Sequence, residues 1–275
     1  MKTGLIIPCY NEEKRLNVQA FVDFISQDNE YHLCFVNDGS KDKTVKVLRD
    51  IQQVNPTKVS IVDIKKNAGK AAAVRAGARY LYSKGNIQYI GFIDADLSTD
   101  FEDFGELLKT LKTNNELSFV FGSRAKNASE AIEKDKIRAI ISKVINFLIV
   151  LILGLSISDT QCGAKVFRAA LVPIMFEKNF FSRWLFDVEM FIRLKRHMGK
   201  AEVVKSIFEQ PLKRWVHMED SKLGLKDSLE IPYRLLSIWY NYNVKYAFYS
   251  NQTMTNAEPV VEIYGNKIPA MATAA

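Results

Sequence analysis

Cysteine is scarce: the 275-residue chain has three, Cys9, Cys34 and Cys162, far apart and odd in number. Without a CxxC pair or a Cys/His cluster, neither a disulfide framework nor a zinc site is supported, and a reducing compartment is expected. The sequence also lacks internal repeats, low-complexity tracts and, through residue 250, any linker rich in Gly, Ser or Pro. Residues 1–250 therefore read as one domain. The tail 251–275 loses periodicity and is expected to be loosely ordered, although "VVEIYG" within it can add a short strand. The opening "MKTGLIIPCYNEEKRL" has too short an apolar stretch for a signal peptide, which makes the cytosol the expected site of residence. No GxxxxGK[ST] pattern occurs, so no P-loop is present. Basic residues are scattered and match no recognition motif, so nucleic acid is not an expected partner.

What is present is an ordinary globular composition, 48% hydrophobic and 25% charged, with 38 basic against 31 acidic residues and a net charge of +7. That balance suits an anionic partner such as a nucleotide phosphate or a lipid headgroup. Strand-like apolar runs at Gly4–Ile7, Tyr31–Val36, Val59–Ile64, Ile87–Ile93 and Ser118–Phe121 alternate with helical patterns at Lys14–Ser26, Lys43–Val54, Gly69–Ser83 and Phe101–Thr113. This alternation predicts an α/β fold, a mostly parallel sheet covered by helices on both faces. Ligands in such folds bind beyond the carboxyl ends of the strands. There the sequence places "PCYNEE", "NDGSKDKT", "KKNAGK", "DADLSTD" and "GSR", one after each strand. If the strands are parallel, these five segments share one rim.

Asp94 and Asp96 stand two residues apart where the fourth run ends, and so on one side of an emerging strand. Carboxylates this close repel unless a cation separates them or each has its own solvent or helix N-terminus. The bland alternative is a capped loop, in which Thr99 and Glu102 form the capping box of the next helix. Asp38 can accept hydrogen bonds from a base or ribose, or belong to a turn in which Gly39 permits the bend and Ser40 or Asp42 caps a helix. Gly69 and Lys70, at a helix start just after Asn67, offer backbone donors and a cation to a diphosphate, or form an ordinary basic helix start.

The segments "IIPCYNEE", "VNDGSKDKT", "NAGKAAAVRAG", "DADLSTD", "FGSR" and "DTQCGAKVFR" occur in an order that resembles family 2 glycosyltransferases of the GT-A fold. Within that family the combination looks most like the polyprenyl-phosphate sugar transferases, the dolichyl-phosphate β-glucosyltransferases and their bacterial relatives among them, over about residues 4–215. The resemblance implies that Pro8, Tyr10, Asn11, Glu12 and Asp38 hold the nucleoside of a nucleotide-sugar donor, UDP-glucose above all, with Asn67, Gly69 and Lys70 beside it. It implies that Asp94 and Asp96 place Mg²⁺ or Mn²⁺ against the diphosphate. Arg124 and Arg138 match positions that attract phosphate, and Asp159, Gln161 and Lys165 fall on the acceptor side. Asp96, Arg124, Asp159 and Asp187 are the catalytic candidates.

A polyprenyl phosphate acceptor is already an anion and needs no strong base, whereas a saccharide hydroxyl would need one from Asp159, Asp187 or Glu189. Direct displacement would invert the anomeric configuration, as the family implies. Asp187 and Glu189 can instead pair structurally with Arg183 or Arg193. Relatives often carry Gly where Ala71 stands, a change that costs little on a helix, and an aromatic where Ala164 stands, which bears on the acceptor pocket. A non-catalytic binding module is the alternative of another class; it would need no intact aspartate pair.

The apolar stretch 139–157 is long enough for a marginal membrane span. A single crossing, however, would put Arg124 and Asp159 in different compartments. A helix lying at the membrane surface is therefore expected, helped by Lys134, Lys136, Arg138 and Lys143; a buried core helix is the alternative. Trp239 and its neighbouring tyrosines suit the same interface, and packing on the domain is the equal alternative. The expected location is peripheral, on the cytoplasmic face.

Overall fold

A computed structural model of the chain describes residues 2–27, 30–124, 136–214, 225–245 and 261–263. Its strands are β1 (Lys2–Cys9), β2 (Tyr31–Asp38), β3 (Val59–Ile64), β4 (Ile87–Phe92), β5 (Phe119–Ser123), β6 (Lys165–Arg168), β7 (Ile207–Pro211) and β8 (Val261–Ile263). They form one sheet in the order β7-β5-β6-β4-β1-β2-β3-β8. The helices are α1 (Val18–Ser26), α2 (Thr44–Val54), α3 (Lys70–Ser83), α4 (Phe101–Thr113), α5 (Lys136–Leu153), α6 (Val172–Phe176), α7 (Phe186–Met198), α8 (Lys200–Ser206) and α9 (Leu225–Tyr240), the last continuing into a π-helical turn at Asn241–Lys245.

β1 runs parallel to β2 and β4, and β2 to β3, so the first four strands end on one rim. β6 is inserted antiparallel between β4 and β5, and β7 pairs parallel to β5. Two antiparallel steps restore direction, and β5 therefore ends on the same rim as β4. The inserted strand also begins there: Lys165 pairs with both Phe92 and Phe121. The segment leading into β6 is thus delivered to the ends of β4 and β5, a placement that periodicity does not reveal. β8 joins antiparallel to β3 within the "VVEIYG" segment; the rest of the 251–275 tail lies outside the described residues.

Side chains of the central strands alternate between two apolar layers, as a two-residue period demands. Leu5, Ile7, Leu33, Phe35 and Ile61 are buried in one layer with Phe21, Leu48, Leu107 and Leu111 of α1, α2 and α4. Ile6, Val36, Val62, Phe92 and Phe121 are buried in the other with Val74 and Leu81 of α3, Phe191 of α7 and Ile149 and Leu153 of α5. Burial on both faces is what makes these strands read as continuous apolar runs.

Several local expectations are corrected. The first helix begins at Val18 rather than Lys14, because the Asn17 side chain accepts from Ala20 N at 3.1 Å and caps it there. The cap of α4 is Asp100, accepting from Asp103 N at 2.8 Å, in place of the Thr99/Glu102 box. The apolar 139–157 stretch is helical only to Leu153, after which Gly154 turns with φ +62°. Among the described residues no helix is long and apolar enough to cross a membrane.

Candidate active site

The loop after β1 is fastened to the loop after β2. Asn11 N donates to Ser40 Oγ at 2.9 Å, Lys41 N donates to Asn11 Oδ1 at 2.9 Å, and Glu12 N donates to Thr44 Oγ1 at 2.8 Å. Asn11 sits in the left-handed region at φ +52°, which Asn tolerates better than most residues. Pro8 and Tyr10 are half-buried at this rim, and Glu12 is buried. Arg15 bridges the loop to the aspartates, lying 3.8 Å from both Glu12 Oε1 and Asp96 Oδ2.

Asp38 is buried at the end of β2. Its carboxylate accepts from Ala68 N and Gly69 N, each at 2.8 Å, and from Asn67 Nδ2 at 2.9 Å. Burial pushes this carboxyl above its usual range although those two backbone N–H groups oppose the shift. Asp38 thereby holds the loop that opens α3, and Gly69 N–H, a candidate donor to a diphosphate, is given to Asp38. Arg183 closes the loop from the far side by donating to Asn67 Oδ1. Gly69 is required there: its φ is +95°, and a Cβ would stand 2.8 Å from Arg183 Cβ and Nε.

β4 stops at Phe92, so Asp94 and Asp96 lie in the turn beyond it. Leu97 N donates to Asp94 O at 3.1 Å and Leu97 takes φ +54°, a strained conformation of the kind that clusters at functional turns. Asp94 Oδ1 is 2.5 Å from Lys70 Nζ. Asp94 Oδ2 lies so close to Gly163 that a Cβ there would overlap it. Burial pulls the Lys70 ammonium down, but Asp94, Asp187 and Asp96 outweigh it and hold the group above its usual range. Lys165 is fully buried; its Nζ pairs with Asp187 Oδ1 at 2.7 Å and donates to Cys162 O at 2.5 Å. Burial pushes the Asp187 carboxyl up against the pull of Lys165 and Lys70. The structural partner of Asp187 is thus Lys165 and not Arg183. Glu189, fully buried, accepts from Phe181 N, Ser182 N and Tyr242 Oη at 3.0, 2.8 and 2.9 Å, with Arg193 3.8 Å away.

At the end of β5, Arg124 forks onto Asp159, with Nε 2.6 Å from Oδ2 and Nη2 2.9 Å from Oδ1. Burial would raise the Asp159 carboxyl, but the Arg124 fork outweighs it and holds the group below its usual range. Gln161 N donates to Asp159 Oδ1 at 3.1 Å. Glu209 of β7 fixes the same turn, accepting from Ser158 N at 2.9 Å, Ser158 Oγ at 2.5 Å and Asp159 N at 2.8 Å. Arg138 lies in the first turn of α5, but its side chain is outside the described residues, as are residues 125–135.

The structure therefore brings Asp38, Asn67, Gly69, Lys70, Asp94, Asp96, Lys165 and Asp187 to one end of the sheet, with the Arg124–Asp159 pair beside them. Arg15 and Glu209 were not singled out in the sequence, and Arg183 was named there only as a structural partner for Asp187 or Glu189. None sits in a distinctive motif, and their partners are 50 to 116 positions away apart from Arg15 with Glu12. Among the described residues no three or more His, Cys, Asp or Glu side chains gather into a metal cage. Two carboxylates on one turn still suit a hard divalent ion that completes its shell with diphosphate oxygens and water. The donor set, all oxygen, fits a divalent metal ion.

An open sheet with one strand inserted antiparallel beside β4 and an Asp-x-Asp turn at its carboxyl rim defines the GT-A class of α/β folds. The chain belongs to glycosyl transferase family 2, whose model matches residues 5–173, and it is a glycosyltransferase. It is 31% identical over 255 residues to dolichyl-phosphate beta-glucosyltransferase ALG5D of Trichomonas vaginalis, covering 88% of this chain and 74% of that one. The dolichyl-phosphate beta-glucosyltransferase of Drosophila melanogaster is 32% identical over 259 residues, covering 89% and 76%. In fold the chain is similar to glucosyl-3-phosphoglycerate synthase of Mycobacterium tuberculosis, solved with Mn²⁺, UDP-Glc and glycerol 3-phosphate. The TM-score is 0.62 at 15% identity, over 88% of this chain and 79% of that one.

Proposed function

We propose that the chain transfers glucose from UDP-glucose to a polyprenyl phosphate, inverting the anomeric carbon, with Mg²⁺ or Mn²⁺ held by Asp94 and Asp96. The observation that carries the acceptor assignment is the state of the carboxylates. Asp159 is locked in a bidentate fork with Arg124, Asp187 is paired with buried Lys165, and Glu189 is enclosed by hydrogen bonds. A hydroxyl acceptor would need one of them free as a base; a phosphate acceptor needs none. The names of the relatives support the same reaction, and their β product agrees with a single displacement of an α-linked donor.

In this reading Pro8, Tyr10, Asn11 and Glu12 wall the nucleoside while Asp38 sets the loop that carries Asn67, Gly69 and Lys70. When bound, the metal neutralises charge that develops on the leaving diphosphate. Lys70 adds a second positive charge there, and Arg124, with Arg138, draws in the acceptor phosphate through a guanidinium geometry suited to its oxygens. Gln161 and Lys165 support the acceptor side, Lys165 through Asp187. Asp159 acts by orienting Arg124.

The membrane reading extends to α5 and α9. Val144, Phe147 and Leu151 of α5 are exposed, as are Tyr233, Leu236, Trp239 and Tyr240 of α9, while Ile149 and Leu153 on the other side of α5 are buried. Exposed apolar side chains of this kind suit a peripheral protein on the cytoplasmic face, whose substrate phosphate projects from the bilayer. Residues 1–250 act in this reading as one domain.

The test is transfer of radiolabelled sugar from a panel of UDP- and GDP-sugars to undecaprenyl phosphate in detergent, with Mg²⁺, Mn²⁺ or EDTA. Metal-dependent label from UDP-glucose in the lipid fraction is the expected result. Donor hydrolysis without lipid product would move the acceptor to a saccharide, and no donor use with any metal would refute the reaction.

A further inference from the structure

The aspartate turn is already occupied by a cation of the protein. Lys70 Nζ is 2.5 Å from Asp94 Oδ1, and the other carboxylate oxygen backs onto Gly163 with no space for even a methyl group. A divalent ion needs its oxygen ligands at about 2.0–2.6 Å, so at Oδ1 it would have to compete with an ammonium already at 2.5 Å. Two cations so placed would also repel strongly. An ion arriving at Asp94 therefore competes with Lys70 for the same carboxylate.

Lys70 is also constrained in where it can go. It is the first residue of α3, and the backbone on either side is fixed: Gly69 N is held by Asp38 and Ala71 N donates to Arg183 O at 3.1 Å. Only the side chain can swing. Of the other carboxylates acting on Lys70, Asp187 already has Lys165 as its partner at 2.7 Å, and Asp96 faces Arg15 at 3.8 Å and is the second metal ligand in this reading. A displaced Lys70 thus lacks an uncommitted anion on the protein side, and the anion able to receive it is a diphosphate placed over the start of α3.

We propose that Lys70 is the resident counter-cation of Asp94 and a positioning residue that makes divalent-ion binding conditional on a nucleoside diphosphate. Ion alone has to compete with Lys70 for Asp94. Ion together with a diphosphate gives Lys70 a new partner as it leaves, so the two ligands bind cooperatively, each strengthening the other by the same factor. The consequence is a site that fills with ion and donor together. This inference rests on the reading of Asp94 and Asp96 as metal ligands, and it goes beyond that reading by stating what controls them.

The experiment measures binding of Mn²⁺ to the full chain by electron paramagnetic resonance of the free ion, with and without saturating UDP. Wild type is expected to bind weakly alone and roughly tenfold or more tightly with UDP, within the range usual for coupled sites. Lys70→Met, and Lys70→Gln as a second neutral variant, should bind Mn²⁺ without UDP about tenfold more tightly than wild type, with the effect of UDP reduced. Lys70→Arg keeps the charge and should stay near wild type. Lys66→Met removes an equal charge from an exposed position on the same loop and should change affinity less than about twofold. Unchanged or weaker Mn²⁺ binding in both neutral variants would overturn the inference, as would an equal gain in Lys66→Met, while leaving the metal reading intact. Absence of Mn²⁺ binding to wild type even with UDP would remove the metal reading, and the inference with it.

Discussion

Replacing Gly163 with Ala would introduce one methyl group against Asp94. Gly163 does not have a positive φ, so its backbone accepts Ala and the cost is steric. An ideal Cβ there overlaps Asp94 Oδ2 and stands 2.9 Å from Cγ, whereas ordinary contact begins at 3.4 Å. The carboxylate must retreat by about 1 Å, and a displacement of that size at a reacting centre costs about 100-fold in rate, or about 2.7 kcal/mol of activation free energy. Stability should change little, by less than about 1 kcal/mol, because the Asp94 side chain is a third exposed and has solvent to move into. The assay is kcat for transfer to undecaprenyl phosphate at saturating Mn²⁺ and UDP-glucose, with urea unfolding run alongside. An intact fold with turnover within threefold of wild type would refute the reasoning, since Asp94 would then have no required position.

Glu209→Ala removes three hydrogen bonds from the Ser158–Asp159 turn and should destabilise the protein by about 2 kcal/mol in urea titration. The same variant should raise KM for the lipid phosphate and leave that for the donor unchanged. Burial, with Lys84 adding to it, lowers the His32 pKa from 6.5 to about 4, so the unfolded chain binds the proton more readily between those values. Stability should be full above pH 6.5 and fall by up to about 3 kcal/mol as the pH drops to 4. His32→Gln should remove that part of the slope, and identical pH profiles for the two proteins would contradict it. Phe147→Ser with Leu151→Ser, both strongly exposed on α5, should release the chain from anionic lipid vesicles in a sedimentation assay without shifting its melting temperature; retained binding would place the lipid contact elsewhere.

The α/β alternation was legible because each core strand is buried on both faces and each covering helix carries one apolar stripe; α4 was placed to the residue and α2 and α3 within one. What failed were choices between near-equivalent polar neighbours. Asp100 caps α4 although Thr99 and Glu102 match a known box, because the hydrogen bond depends on which side chain the turn aims at Asp103 N. Asn17 starts α1 late for a similar reason: the preceding residues are hydrogen-bonded to the 40–44 loop, which is distant in sequence.

The sequence by itself determined the elements, the rim and the residues eligible for chemistry, since periodicity and strand-end position are local properties. Partnership was decided only in the tertiary structure. The antiparallel insertion of β6 carries Gly163 to Asp94 and Lys165 to Asp187, and β7 brings Glu209 beneath Ser158 and Asp159. Whether a carboxylate is a base, a ligand or a structural anchor depends on which cation and which N–H groups surround it, and in this protein those come from strands and loops far away in the chain.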